Sequence, residues 1–280
     1  MNNGFWRRFR RNRAALLGSA LLVLVALSAL GAPWLAGNDP WVMVQQPFLA
    51  PGAIQGLPMG SDALGRDVAA GLLYGARVSM LIGLTATAVA LLLGIGLGAI
   101  AGYHGGWVDA LLMRFTELFQ AVPGFAFAVV LVAIFQPSVQ SIVAAIAIVS
   151  WPPVARLVRG EFLTLRGREF VAAAQLAGQS SSRIIFTQIL PNAVSPIVVM
   201  GSLMVASSIL LESALSFLGL GDPNVMSWGY MVGAARTALR QAWWVAMFPG
   251  LAIMLTVLSL NLVGEGLADG LNTRLDGRTR

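Results

Sequence analysis

Residues 78–103 read VSMLIGLTATAVALLLGIGLGAIAGY, from Val78 to Tyr103, without one charged side chain. A bilayer core about 30 Å thick needs about 20 helical residues of this kind to cross it. The stretch therefore reads as a membrane-spanning helix, and the rest of the chain repeats the pattern. Residues 14–36 and 243–263 are uncharged runs of span length, and 193–220 is interrupted only by Glu212. Residues 121–135 are short and reach span length by extending back through 110–120, with Arg114 and Glu117 near an interface. Residues 141–154 follow a polar break at Gln136, Pro137 and Gln140. The expected fold class is all-α, a polytopic membrane protein with six transmembrane helices.

Composition agrees. Of 280 residues, 57% are hydrophobic and 11% charged, where soluble domains carry about a quarter charged. A soluble core could not hide so much apolar surface. The chain has no Cys and one His, His104, which excludes disulfide frameworks, thiol nucleophiles and Cys/His zinc sites.

All 18 basic residues are Arg, and their placement sets an orientation. With the amino terminus in the cytoplasm, fourteen fall inside: Arg7, Arg8, Arg10, Arg11, Arg13, Arg114, Arg156, Arg159, Arg166, Arg168, Arg183, Arg274, Arg278 and Arg280. Four fall outside: Arg66, Arg77, Arg236 and Arg240. The high pI thus reports topology, and no nucleic-acid partner is expected. The organisation expected is a cytoplasmic Arg-rich tail at 1–13, a first transmembrane helix at 14–36, a periplasmic loop at 37–77, a five-helix core at 78–267 and a cytoplasmic tail at 268–280. The first apolar run is too long for a signal-peptide core and reads as a retained anchor. Trp34 and Trp41, Trp107, and the group Trp228, Trp243 and Trp244 read as interfacial belts.

Within 156–191, a cytoplasmic segment, Glu169-Phe170-Val171-Ala172-Ala173-Ala174-Gln175-Leu176-Ala177-Gly178 reads as a short helix closed by a left-handed Gly178. Ser180, Ser181 and Ser182 offer caps for a second short helix, which Pro191 is expected to stop. A helix–Gly–helix knob fixed to two spans would act as a lever, its Ala face suited to a groove on another protein; a loop lying along the membrane is the plainer reading.

In the second span Ala86, Ala90, Gly94, Gly98 and Gly102 recur every four residues, a ridge that lets another helix approach closely. It serves either packing within the chain or a seam between subunits. Glu212 is a carboxylate at membrane depth, expensive and a candidate for function. It could line a pathway, with Ser216 beside it, or pair structurally. Asn261 and Glu265, one turn apart, face the bundle or the inner interface, and Arg114 and Glu117 form a local pair.

Here the sequence resembles a known family. Ala172-Ala173-Ala174 followed by Gly178 and Leu190-Pro191 is similar to the EAA loop by which permeases of bacterial ABC importers dock onto their ATPases. Six further stretches resemble the second permease subunit of dipeptide, oligopeptide and nickel importers: GSDALGRD at 60–67, YGARVS at 74–79, GYHGGWVD at 102–109, LSFLGLG at 215–221, SWG at 227–229, and Trp243-Trp244 with Phe248-Pro249-Gly250. The first EAA position is Ala172 instead of Glu, and Gln188 stands where Ile is common. The tail at 264–274 lacks the usual Pro and several charges.

The resemblance implies a permease subunit in the bacterial inner membrane, with both termini cytoplasmic. It implies a second homologous permease, two ABC ATPase subunits, an external substrate-binding protein and the lipid bilayer as partners. Coupling would fall to Glu169, Phe170, Ala172, Ala173, Ala174, Gly178, Leu190 and Pro191, and pathway or inter-subunit contacts to Glu212, Ser216 and Asn261. No catalytic residue, cofactor or metal is expected in this chain. It contains no Lys, hence no Gly-x-x-x-x-Gly-Lys phosphate loop, so ATP and Mg²⁺ would be bound by the partner ATPases. An intramembrane protease would need a Ser–His or Asp–Asp pair at depth, which is missing. The alternative carried forward is a stand-alone secondary transporter with Glu212 as its ion site.

Overall fold

The computed structural model describes residues 2–37 and 39–271; Arg274, Arg278 and Arg280 of the expected tail lie outside them. Among the described residues eleven α-helices follow in order: α1 (Asn2–Arg11), α2 (Arg13–Leu35), α3 (Val68–His104), α4 (Gly106–Gln120), α5 (Gly124–Phe135), α6 (Val139–Arg166), α7 (Glu169–Leu176), α8 (Ser181–Ile184), α9 (Leu190–Leu215), α10 (Trp228–Ala235) and α11 (Trp244–Leu271). Among the described residues five helical stretches are long and apolar enough to cross a membrane: α2, α3, α6, the stretch Ser181–Leu220 containing α9, and α11.

The third span differs from a straight helix. α4 and α5 meet at 79°, so this span is broken. Pro123 explains the break: it has no N–H to give to the preceding turn and disfavours helical backbone at Val122. The second and fourth spans are longer than hydropathy suggests. α3 starts at Val68, capped by the Asp67 side chain on the Ala69 N–H at 2.8 Å, because the chain is already helical before it reaches the apolar run. Burial raises the Asp67 carboxyl above its ordinary value, against backbone hydrogen bonds from Ala69 and Ala70 that lower it. α6 continues to Arg166, so Arg156 and Arg159 stand on the helix of the fourth span itself.

α3 is the central element and lies along α6, α9 and α2. Its small-residue ridge decides the packing. A Cβ on Gly94 would collide with the Val154 side chain. One on Gly98 would stand 2.5 Å from the Ala155 carbonyl, and one on Gly102 would stand 2.6 Å from Phe162 Cβ. The ridge is therefore an intramolecular α3–α6 seam. A second seam joins α2 to α11, where Gly18 lies against Ser259 and Leu262. A buried Thr87–Ser208 hydrogen bond of 3.2 Å ties α3 to α9.

Segment 39–67 is held by its own polar groups. Ser61 is buried; its hydroxyl donates to the Gln46 carbonyl and accepts from the Leu49 N–H. Arg66 stacks on Trp41 at 4.6 Å.

The expected tryptophan belt needs correction in the group Trp228, Trp243 and Trp244. Trp228 and Trp244 are buried, their indole N–H groups donating to the Leu72 and Ser61 carbonyls, while Trp243 is exposed. An indole with a carbonyl in reach can be buried whole, and sequence does not reveal the carbonyl.

Candidate functional site

The knob begins at α7, which follows α6 with only Gly167 and Arg168 between them. Gly178 has φ +72°, and two hydrogen bonds close α7 behind it: Gln179 N–H to the Ala174 carbonyl at 3.1 Å and Gly178 N–H to the Gln175 carbonyl at 3.0 Å. This is the Schellman arrangement. Ser180 caps α8.

Pro191 does not stop the helix. α8 passes through a π-helical turn, Ile185–Ile189, directly into α9, and Pro191 lies in the first turn of α9. The widened turn, in which the Leu190 N–H reaches back to Ile185, makes room for a residue without an N–H. The knob is thus attached to the fifth span without a joint.

Val171, Ala174, Ile184 and Ile189 face inward, in one core with Tyr103, Trp151, Val158 and Phe162. Ala174 is therefore packing, not contact surface, and Leu190 is half-buried. Glu169, Phe170, Ala172, Ala173, Gly178 and Pro191 are exposed. Two further exposed apolar residues of the knob were missed by sequence reasoning: Leu176, 91% exposed, and Phe186, 66% exposed. Leu176 follows Ala172 by four and Ala173 by three, so helical period alone could have placed it on their face.

A bidentate ion pair stands behind the knob. Arg159 Nε and Nη2 donate to Asp109 Oδ1 and Oδ2 at 2.5 and 2.6 Å, joining α4 to α6. Neither partner is fully exposed, so the pair is less screened than Arg114–Glu117, which is 3.6 Å long and open to solvent. Asp109→Ala is expected to lower chain stability by about 1–3 kcal/mol by stranding Arg159. The exchange Asp109→Arg with Arg159→Asp should recover part of it in thermal melts of the purified protein; a loss in the exchange as large as in the single variant would argue against the pair.

At the other end of the bundle three separated sequence stretches meet. Glu212 on α9 is 1% exposed. Its carboxylate accepts from Ser227 Oγ at 2.8 Å, Ser216 Oγ at 2.9 Å and Ser213 Oγ at 3.4 Å. Ser227 also accepts from the Tyr230 N–H, capping α10. The next residue, Trp228, donates its backbone N–H to Ser79 Oγ on α3. Gly229 permits the closeness, since a Cβ there would stand 2.8 Å from Glu212 Oε1.

Glu212 therefore lines no open passage in this conformation; with Ser216 it pins α10 to α9. Asn261 is half-buried on α11. Gly264, three residues on, faces Ser202 and Leu203, which puts Asn261 about two helical turns of α9 from Glu212. The two do not form one site. Among the described residues no cluster of His, Cys, Asp and Glu has the makings of a metal site.

Residues 94–277 match the family described as binding-protein-dependent transport system inner membrane component. The chain belongs to that family. Residues 3–51 match the N-terminal transmembrane domain of oligopeptide transport permease C. The di/tripeptide transport system permease protein DppC of Pseudomonas aeruginosa is 41% identical, over 97% of this chain and 91% of its own length. The glutathione transport system permease protein GsiD of Pectobacterium atrosepticum is 39% identical, over 97% and 90%.

Among solved structures, an inward-facing form of the MetNI methionine ABC transporter superposes with a TM-score of 0.60 at 12% identity, covering 70% of this chain and 93% of that one. An amino acid ABC transporter gives 0.55 at 13% identity, covering 71% and 92%. These two likenesses carry the fold. The protein is an inner-membrane permease of an ABC importer, and nothing in these matches supports a stand-alone secondary transporter.

Proposed function

We propose that this chain forms half of the translocation pathway of an importer for dipeptides, oligopeptides or a related small solute such as a nickel chelate or glutathione, paired with a second, homologous permease. Two separate ATPase subunits dock on the knob and bind the ATP and its Mg²⁺; an external binding protein delivers the substrate. The substrate class rests on the relatives, which are named as permeases of di/tripeptide and glutathione transport systems. Both termini lie in the cytoplasm, a reading supported by the fourteen-to-four arginine bias. A reporter fused at Gln179 is expected inside and one at Gly56 outside, and the reverse pattern would overturn this orientation.

The observation that carries the coupling reading is the knob's outer face. Phe170, Ala172, Ala173, Leu176 and Phe186 are exposed apolar residues on a segment joined to α6 through two residues and to α9 through a π-helical turn. A push on it tilts both helices. The α3–α6 seam leaves no slack, so α3 follows α6, and the Glu212 knot carries the movement to α10. The pathway switches between inward and outward openings as a population shift between two packed states, biased by whichever partner binds one of them better.

The test is Gly178→Val. A Cβ there meets nothing within 4 Å, so the change acts only through backbone strain at φ +72°, about 1–2 kcal/mol. The variant should insert and purify with the second permease, yet lose ATPase co-purification and ATP-driven peptide uptake. Gly178→Asn, which tolerates this conformation, should retain most of both. Undiminished uptake and ATPase retention in Gly178→Val would sink the coupling role.

A further inference from the structure

Helix α1 holds a charged surface that the transport cycle above does not use. Its sequence, NNGFWRRFRR, is amphipathic. Phe5 and Phe9 lie one turn apart on one face, and Arg7, Arg10 and Arg11 lie on the opposite face at i, i+3 and i+4. The rotation of the helix is fixed by packing. The Phe5 ring occupies the notch left by Gly270, where a Cβ would be 2.7 Å from it, and the Phe9 ring occupies the notch at Gly266 at 3.0 Å. The Asn12 amide, at the joint between α1 and α2, adds a hydrogen bond of 3.0 Å to Asp269.

With the rings held against α11, Arg7, Arg10 and Arg11 are left exposed beside Trp6, which is 54% exposed and edge-on to both phenylalanines. These four residues line a recess of about 430 Å³. The apolar span α2 begins immediately afterwards at Arg13, so the recess sits at the boundary of the hydrocarbon layer.

We propose that Arg7, Arg10 and Arg11, flanked by Trp6, bind the phosphodiester headgroup of an anionic phospholipid. Three guanidinium groups at helical spacing offer forked donors to phosphate oxygens in the geometry they match best. An indole beside them suits the headgroup level, where one end of the ring is wet and the other apolar. The charge is complementary to an anionic membrane surface, and the recess is covalently next to a span that must lie in that membrane.

The test uses the full chain purified with its partner subunits. The complex is equilibrated with equal amounts of phosphatidylglycerol and phosphatidylcholine, and retained lipid is read by native mass spectrometry. The wild-type complex should retain phosphatidylglycerol in preference; equal retention overturns the proposal without any variant. Arg7→Gln, Arg10→Gln and Arg11→Gln together should reduce the preference about tenfold or more. The same three positions changed to Lys should keep most of it and preserve insertion.

Arg77→Gln with Arg240→Gln should leave the preference unchanged; an equal loss there would reduce the effect to general charge and overturn the site. Excess glycerol phosphate should fail to displace the lipid, and displacement would mean a site for free phosphate. If the Gln variant loses its ATPase subunits while keeping phosphatidylglycerol, the arginines serve a protein partner and the lipid assignment falls.

Discussion

Gly98→Leu is expected to abolish the folded chain, leaving little or no monodisperse protein after detergent extraction. A Cβ at Gly98 would lie 2.5 Å from the Ala155 carbonyl and 2.9 Å from Val158 Cβ. The first of these is backbone and cannot turn aside, so α3 and α6 must separate. Overpacking against movable side chains costs about 1–3 kcal/mol. Here the whole α3–α6 seam opens, and the loss should exceed that range and approach the total stability of a domain.

The neighbouring glycine supplies the contrast. Gly96 is on the same helix, two residues away, and nothing lies within 4 Å of a Cβ placed on it. Gly96→Ala should be neutral or stabilising by up to about 1 kcal/mol, through helix propensity. Fluorescence-detected size exclusion of fusion proteins, with thermal melts of the survivors, separates the two. Equal behaviour of Gly96→Ala and Gly98→Ala, or a well-behaved Gly98→Leu, would mean that the seam is not as close as described.

Glu212→Leu is expected to destabilise the chain by about 3 kcal/mol and lower its melting temperature by roughly 10 °C. The leucine fills the space but accepts nothing. Ser227 and Ser216 then keep buried hydroxyls without their acceptor, each at about 1–3 kcal/mol. α10 loses its tie to α9, and transport should fall with it.

Glu212→Gln is the discriminating variant. Its carbonyl oxygen still accepts from Ser227 and Ser216, so stability should stay within about 1 kcal/mol of wild type, and peptide uptake should persist. A proton- or ion-carrying carboxylate would behave in the opposite way, because Gln cannot ionise. Abolished uptake in a stable Glu212→Gln protein would return Glu212 to the transport pathway.

The parts of the fold legible in the sequence are those governed by local chemistry. Charge-free runs of span length identify helices that water would not tolerate, whatever they pack against, and 78–103 and 243–263 needed no partner to be read. Gly178 was legible because the left-handed conformation is a property of one residue and its neighbours. The spacing of Gly94, Gly98 and Gly102 announced a close approach but not to what, since a ridge of missing side chains looks the same to any helix.

The Glu212 knot was half legible. Its members stood out one by one as LSFLGLG, SWG and YGARVS, in three stretches spread from 74 to 229. That they form one hydrogen-bonded unit depends on α3, α9 and α10 meeting at one end of the bundle. The Arg159–Asp109 pair was invisible for the same reason, with its partners fifty residues apart. Trp228 and Trp244 were misread as interfacial because their buried partners are carbonyls of distant helices and loops. Pro191 was misread because its usual effect assumes an ordinary α-turn, and a π-turn had taken up the strain.

By itself the sequence determined that this chain lives in the membrane, which family it belongs to, and where a rigid knob would project. The membrane and the knob rest on the cost of exposing apolar surface and on backbone preferences, which act over a few residues; the family rests on the resemblance of the quoted motifs. Only the tertiary structure decided which helix fills the glycine ridge, that Glu212 is a fastening within the chain, and that Leu176 and Phe186 stand exposed on the knob. Those answers depend on which groups, distant along the chain, are brought within hydrogen-bonding or van der Waals distance, and that is settled by the packing of whole helices.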